Sequence, residues 1–203
     1  MRGTLIILEG PDGGGTTRHS DFLADRLRKS GIDVLLTAEP TDSVIGQQIR
    51  SILHGQTMPS AEAVQLLFCA DRAEHVKNVI EPALASGKVV ICDRYILSTL
   101  LYGSVLGVDK KWLEQVNNVF PQPDLTIITL PPFEVCCERI DRRGVRDQFE
   151  GNTFQRQVYD AYKAVEDPNV VFVDTSGEKE EVADMIENIV RVHIALPSQK
   201  LAN

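Results

Sequence analysis

Short runs of apolar and β-branched residues alternate along the chain with longer segments in which apolar residues recur every three or four positions. The short runs are typical of strands buried on both faces of a sheet, and the longer spacing is typical of amphipathic helices. Strands are predicted at residues 5–8, 34–37, 89–92, 125–128 and 170–173. Helices are predicted at residues 17–29, 45–53, 60–85, 133–143, 154–165 and 179–194, and a helical region that includes residues 112–119 is predicted after Tyr95.

This alternation predicts an α/β fold in which a five-stranded parallel sheet is covered by helices on both faces. A length of 203 residues suits one domain rather than two. The sequence contains no internal repeat, low-complexity tract or linker, so residues 1–203 are interpreted as a single domain with a loose tail at 197–203.

Composition and charge narrow the classes of function. A net charge of -8 argues against a broad basic face for nucleic acid, whereas a few local arginines are enough to bind a small anion. The four cysteines show neither zinc spacing nor a disulfide framework, which is typical of a reducing compartment. The apolar runs are too short for a signal peptide or a membrane span, and we therefore expect a cytoplasmic protein.

A glycine-rich segment joins the first predicted strand to the first predicted helix. It reads Gly10-Pro11-Asp12-Gly13-Gly14-Gly15-Thr16-Thr17. The P-loop pattern G-x-x-x-x-G-K-[ST] is met except that Thr16 stands at the lysine position. The N–H groups of such a loop bind ATP phosphates, and the hydroxyl of Thr17 can contact a magnesium ion. The alternative is a glycine-rich turn that only connects strand to helix.

Asp93, Arg94 and Tyr95 follow the strand predicted at 89–92. Ligand groups of open α/β sheets lie at this end of the strands. There the carboxylate of Asp93 can reach a metal or its waters, and Arg94 can bind a phosphate with two hydrogen bonds. The alternative is an ordinary ion pair between Asp93 and Arg94, which the sequence alone does not distinguish from a ligand site.

Phe68 and Arg72 stand four residues apart in the segment predicted as a long helix. Residues at this spacing share one helical face. The aromatic ring could stack on a nucleobase while the guanidinium donates to a carbonyl at the edge of that base. A core phenylalanine beside a surface ion pair is the alternative.

Seven segments, in this order and at this spacing, resemble the thymidylate kinases, a family of P-loop nucleoside-monophosphate kinases. The segments are Glu9-Gly10-Pro11-Asp12-Gly13, Glu39-Pro40 with Ile49-Arg50, Leu66-Leu67-Phe68-x-x-Asp71-Arg72, Asp93-Arg94-Tyr95-x-x-Ser98 with Tyr102, Pro123-Asp124-Leu125-Thr126, Arg142-Arg143-Gly144 and Asp147-x-Phe149-Glu150. The resemblance implies a three-layer P-loop NTPase-like fold with a lid segment and a symmetric homodimer.

The resemblance also implies roles for individual residues. The dTMP-binding set would be Glu39, Arg50, Phe68, Arg72, Arg94, Ser98, Thr99 and Tyr102. The catalytic set would be Asp12, Arg18, Asp93, Arg94, Arg143 and Arg146. Residues 10–17 would bind the ATP phosphates, and Thr17 and Asp93 would hold Mg²⁺, partly through water. A mobile lid at about 139–151 would bring its arginines to ATP, although a solvated run of charge would look similar.

Four positions depart from the family pattern: Thr16, Arg18, Gly103 and Gln148. Thr16 and Gln148 remove positive charge from the transferring phosphate, and we hypothesise that Arg18 or a lid arginine replaces it. Gly103 stands where a glutamine that contacts the base is frequent. The leading hypothesis is transfer of the γ-phosphate of ATP to dTMP, giving dTDP. The alternatives are another deoxynucleoside monophosphate as acceptor, or a catalytically impaired nucleotide-binding protein.

Overall fold

The computed structural model describes residues 2–57, 59–143 and 152–195, without the side chains of residues 143, 152, 194 and 195. The described part contains five strands: β1 (Thr4–Glu9), β2 (Val34–Ala38), β3 (Val89–Asp93), β4 (Leu125–Thr129) and β5 (Val170–Val173). All pair in parallel in the order β2-β3-β1-β4-β5. The predicted α/β class and five-stranded parallel sheet are confirmed.

Helices connect the strands in the described part of the chain. They are α1 (Thr16–Lys29), α2 (Val44–Leu53), α3 (Ala61–His75), α4 (Glu81–Ala85), α5 (Ile96–Val105), α6 (Lys110–Asn117), α7 (Phe133–Arg143), α8 (Asn152–Lys163) and α9 (Lys179–Ala195). A π-helical segment, Val76–Ile80, joins α3 to α4. The helical stretch predicted at 60–85 is therefore continuous, with a change of hydrogen-bond pattern just before Pro82, which has no backbone N–H to donate.

The two faces of the sheet carry separate apolar layers because successive side chains of a strand point to opposite sides. On one face, Ile6 and Leu8 pack with Leu23 of α1 and Ile186 of α9. On the other face, the intervening residues of β1 pack against the π segment, α4 and the start of α5. Helix, sheet and helix thus form the three predicted layers.

The carboxyl ends of three neighbouring strands meet at one edge of the sheet. In the strand register Leu8 lies beside Asp93, and Asp93 lies beside Ala38. The segments that follow β1, β2 and β3 are those in which the sequence predicts ligand-binding residues. We therefore expect the ligand-binding site at this edge of the sheet.

The first residues of the predicted lid belong to helix α7. Residues 139–143 form the last turn of α7, whereas 144–151 and the predicted tail at 197–203 lie outside the described residues. No helix in the described ranges is both long and apolar enough to cross a membrane.

Candidate active site

The glycine-rich loop is shaped to leave backbone N–H groups free at the start of α1. Gly13 and Gly15 have positive φ angles of 78° and 95°, which side-chain residues rarely adopt. A side chain at Gly13 would also meet the backbone oxygen of Cys136 at 2.4 Å from its Cβ. Gly15 gives α1 no side-chain cap, so the first N–H groups of the helix remain available to an anion.

The glycine-rich loop is held in place by hydrogen bonds that its carbonyl groups accept from α7 and from the segment after β5. Arg139 of α7 donates to the carbonyl oxygen of Gly13 at 3.0 Å, and the hydroxyl of Thr175 donates to that of Gly14 at 2.7 Å. Arg139 also donates to the backbone oxygen of Thr175 at 2.6 Å. Arg139, predicted in the lid, therefore ties α7 to the loop and to the segment after β5.

Arg94 connects the loop to the neighbouring cavity. Its guanidinium donates to the carbonyl oxygen of Gly10 and to Asp12 Oδ1, both at 2.7 Å, and to Ser98 Oγ at 3.2 Å. Its backbone is left-handed, with φ 67°, and its N–H donates to the carbonyl oxygen of Leu8 at 2.9 Å. Such a backbone is uncommon outside glycine and clusters at functional sites.

Thr17 and Asp93 meet at the start of α1. The hydroxyl of Thr17 donates to Asp93 Oδ2 at 2.5 Å. Asp93 Oδ1 is shielded from solvent and has no hydrogen-bond partner among the described residues. A buried carboxylate oxygen without a partner is costly, and a hard cation with its waters would satisfy it. The two side chains fit the predicted magnesium site.

A cavity of about 380 Å³ opens beside the loop. Every side chain of the predicted dTMP set lines it, namely Glu39, Arg50, Phe68, Arg72, Arg94, Ser98, Thr99 and Tyr102. Asp12, Thr17 and Asp93 line it as well, so this cavity is continuous with the predicted phosphate and metal groups. The structure thus brings together residues that are widely separated in sequence.

Arg72 is held rigidly in the wall of this cavity, with only 1% of its surface exposed. It donates to Glu39 Oε2 at 2.9 Å, to Asn117 Oδ1 at 2.5 Å and to Thr99 Oγ1 at 3.0 Å. The carbonyl oxygen of Tyr95 accepts a further bond at 2.9 Å. The alternative, in which Arg72 belongs to a surface ion pair, is thereby excluded, because the pair of Arg72 with Glu39 is buried.

Glu9 is a fully buried acceptor at the end of β1. Its Oε1 accepts from the N–H groups of Tyr95 and Ser98, and its Oε2 accepts from Ser98 Oγ at 2.6 Å and from Tyr162 Oη at 2.9 Å. Burial raises the pKa of Glu9, and the hydrogen bonds from Ser98 and the charge of Arg94 oppose that rise. Glu9 therefore positions the start of α5 rather than facing the loop.

Two polar residues of α8 reach the site and were not predicted from the sequence. Gln155 donates to Asp12 Oδ2 at 2.8 Å, and Tyr162 donates to Glu9. The helical spacing of 154–165 indicates only that one face of α8 is buried. Which polar groups that face meets depends on the approach of α8 to α5, for which the sequence holds no local signal.

The other predicted cations lie in different surroundings. Arg18 is exposed on α1. Arg50 donates to the carbonyl oxygen of Pro40 at 2.7 Å and pairs with Asp42 at 3.1 Å. The side chain of Arg143 and the whole of Arg146 lie outside the described residues, as does Gln148. Thr16, at the lysine position, is buried.

Comparison with known proteins tests the family resemblance. A family model described as thymidylate kinase matches residues 8–186. The chain belongs to the thymidylate kinase family.

Individual members of that family align over nearly the whole chain. A probable thymidylate kinase from Pyrococcus horikoshii is 42% identical over 94% of this chain and 97% of its own length. A thymidylate kinase from Synechococcus sp. is 40% identical over 95% of this chain and 96% of its own length. A thymidylate kinase from Brachyspira hyodysenteriae is 32% identical over 99% of this chain and all of its own length. The resemblance inferred from the seven sequence segments is confirmed.

Proposed function

We propose that this member of the thymidylate kinase family transfers the γ-phosphate of ATP to dTMP and releases ADP and dTDP. The observation that carries the proposal is the single cavity that joins the predicted dTMP residues to the P-loop. A nucleotide whose base lies at Phe68 would have its phosphate near Arg94, beside the loop that binds the donor phosphates. Donor and acceptor would thus share one continuous site.

In the reaction, an oxygen of the acceptor monophosphate forms a bond to the γ-phosphorus of ATP. The bond from that phosphorus to the oxygen bridging the β- and γ-phosphates breaks, and ADP leaves. Arg94 and Arg50 would hold the acceptor phosphate, while the free N–H groups at the start of α1 would hold the donor phosphates. Magnesium, held by Thr17 and Asp93 partly through water, would neutralise charge on the phosphates.

The rest of the acceptor would lie along the cavity. Phe68 would stack on the base and Arg72 would contact its edge. Asp12 and Tyr102 would lie along the deoxyribose, where the ring of Tyr102 would crowd a ribose 2′-hydroxyl. Arg94 lies over that ring, 5.5 Å from its centroid, which fixes the ring beside the phosphate arginine.

The acceptor preference is tested with a panel of nucleoside monophosphates and ATP in an assay that detects ADP. The proposal predicts that dTMP has the highest kcat/KM. Preference for dCMP or dGMP would make the chain a kinase for a different nucleotide. Binding of ATP and dTMP without turnover would instead establish an impaired nucleotide-binding protein.

We further propose that a cation outside the loop replaces the P-loop lysine. Arg18, Arg143 and Arg146 are the candidates, because Arg139 is engaged with the carbonyl groups of the loop. Replacing the relevant arginine by alanine should lower kcat by about 10³-fold or more. Unchanged turnover in all three alanine variants would contradict this proposal. A large gain from Thr16→Lys would show that no replacement exists.

A homodimer in the cytoplasm is the proposed state of the protein. The free cysteines, Cys69, Cys92, Cys136 and Cys137, are consistent with a reducing compartment. Light scattering coupled to size-exclusion chromatography should give twice the mass of one chain. A monomer at micromolar concentration would contradict the proposed dimer. It would not bear on the proposed phosphoryl transfer, which is tested separately.

A further inference from the structure

The acceptor cavity contains a buried amide to which neither the fold nor the family resemblance gives a role. Gln65 is 2% exposed and lines the cavity from α3. Its Oε1 is shielded from solvent and has no hydrogen-bond partner among the residues that the structure describes. A buried carbonyl oxygen without a hydrogen-bond partner costs free energy. A ligand that donates a hydrogen bond to Gln65 Oε1 would remove this cost.

Gln65 stands on the helical face that is proposed to meet the base. It precedes Phe68 by three residues and Arg72 by seven, a spacing that places all three along one stripe of α3. All three line the same cavity. A base stacked on Phe68 would therefore have the amide of Gln65 and the guanidinium of Arg72 at its edge.

Arg72 cannot satisfy that edge alone. A guanidinium has only donors, and those of Arg72 are largely occupied by Glu39, Asn117, Thr99 and the carbonyl oxygen of Tyr95. Thymine presents an N3–H donor beside the acceptors O2 and O4, so its edge needs an acceptor as well as a donor. Gln65 offers an unpaired acceptor and an amide N–H₂ donor within one side chain.

Gly103 leaves room for the side chain of Gln65. A Cβ added at Gly103 would lie 3.2 Å from Gln65 Cγ and 2.8 Å from Leu113 Cδ1. Both distances are tighter than ordinary contacts, so a larger residue at this position would displace one of the two side chains. The glycine on α5 and the glutamine on α3 are thus sterically coupled.

We propose that Gln65 is a specificity-determining residue, whose amide accepts from N3–H and donates to a carbonyl oxygen of thymine. This inference rests on the proposed function. It adds to that function a pair of hydrogen bonds to the base. These bonds come from α3, whereas the family's frequent base-contacting glutamine stands at the position of Gly103 on α5. Two hydrogen bonds to one base edge from one side chain are worth roughly 10- to 100-fold in discrimination.

The test compares two acceptors on wild-type protein and on Gln65→Met, which keeps the size of the side chain and removes the amide. One acceptor is dTMP, and the other is the 5′-monophosphate of the difluorotoluene deoxynucleoside, which has the shape of thymine without its N–H donor. We expect kcat/KM for dTMP to fall roughly 10- to 100-fold, and that for the isostere to change by less than about 3-fold. Gln115→Met, at an exposed position of α6, should change neither value.

The outcomes separate the inference from the function on which it rests. If wild-type protein does not use dTMP, the proposed function fails, and the inference fails with it. If wild-type protein uses dTMP but Gln65→Met lowers kcat/KM for both acceptors by the same factor, Gln65 has only a structural role. In that case the inference fails and the function stands.

A second variant provides a readout that does not depend on turnover. In Gln65→Glu the introduced carboxyl can donate to thymine only while it is protonated. Calorimetry gives the association constant for dTMP at each pH. The ratio of the variant's association constant to that of the wild-type protein should therefore fall as the pH rises through the pKa of that carboxyl. A ratio that does not change with pH would overturn the inference.

Discussion

Asp93 has two carboxylate oxygens in different surroundings. One accepts the hydroxyl of Thr17, and the other has no partner in the described part of the chain. If the second oxygen serves magnesium, Asp93→Asn should lower turnover about 10- to 100-fold and raise the magnesium concentration needed for half-maximal rate. Steady-state kinetics across a magnesium titration measures both effects. Asp33→Asn, which removes an exposed partner of Lys88, is the matched control and should leave both values unchanged.

His19 lies beside the P-loop and is 4% exposed. Burial, together with the positive charges of Arg139 and Arg18, lowers the pKa of His19 to about 4 from 6.5. The unfolded chain therefore takes up a proton below about pH 6.5, whereas the folded chain takes it up only near pH 4. The free energy of unfolding should consequently decrease as the pH falls between these two values.

His19→Gln removes this titration, so its loss of stability between about pH 6.5 and pH 4 should be smaller than that of the wild-type protein. Urea unfolding at several pH values measures the slope. His54→Gln, at an exposed position, should keep the wild-type slope. Equal slopes for all three proteins would show that His19 does not titrate abnormally.

Single residues of the site were predictable where their signal is local. The spacing of Phe68 and Arg72 places both on one face of α3, and Asp93 follows a recognisable strand. Gln65 carries no such signal, since a glutamine in the apolar run from Val64 to Leu67 looks like an ordinary helical residue. Its unpaired amide becomes visible only when α5 is packed against α3.

At the scale of elements, the sequence predicts the strands and the buried helical faces well because both depend on apolar periodicity. Each predicted strand lies within an observed one, and the sheet extends four of them by a residue or two. The π segment before Pro82 could not be predicted, because it depends on how the long helical stretch packs against the sheet. The contacts of Gln155 and Tyr162 were missed for the same kind of reason.

The hydrogen bond from Tyr162 links α8 to the centre of the molecule. Tyr162 is fully buried, and burial raises the pKa of its phenol well above the ordinary value, so it remains a donor to Glu9. Tyr162→Phe should lower the free energy of unfolding by about 1–3 kcal/mol, because the buried Glu9 Oε2 loses one of its two donors and keeps only Ser98 Oγ. Urea denaturation monitored by circular dichroism is the measurement.

Tyr159→Phe is the control for this change because Tyr159 is a partly exposed tyrosine on the same helix. It should alter stability by no more than about 0.5 kcal/mol. If the two phenylalanine variants lose the same stability, the bond to Glu9 does not anchor α8.

At the scale of the whole molecule, an ion-pair network joins α1 to α9. Arg26 of α1 pairs with Glu180, Asp184 and Glu187 of α9. The hydrogen bond to Asp184, with those to Glu180 and Glu187, raises the pKa of Arg26, and the hydrogen bond from Arg191, followed by that from Arg26, lowers the pKa of Glu187. Arg26→Met should cost about 1 kcal/mol at low salt, because it leaves three carboxylates close together.

The cost of Arg26→Met should shrink at high salt, where the repulsion between these carboxylates is screened. Unfolding midpoints at low and high sodium chloride test this dependence. Lys110→Met, which removes one exposed pair with Glu114, should have little effect at either concentration. A loss for Arg26→Met that is independent of salt would point to lost packing instead of charge.

The position of β1 in the sheet has a consequence for synthesis of the protein. Ile6 pairs with Ile91 on one side and with Leu125 on the other, so β1 is completed only by strands that are made much later. Contacts so distant in sequence slow folding, because loop closure precedes the stabilisation they bring. A nascent chain that ends before β4 would leave one side of an apolar strand unpaired. Fragments ending at residue 120 should therefore be cleaved rapidly by proteases, and resistance should appear once residues 125–129 are included.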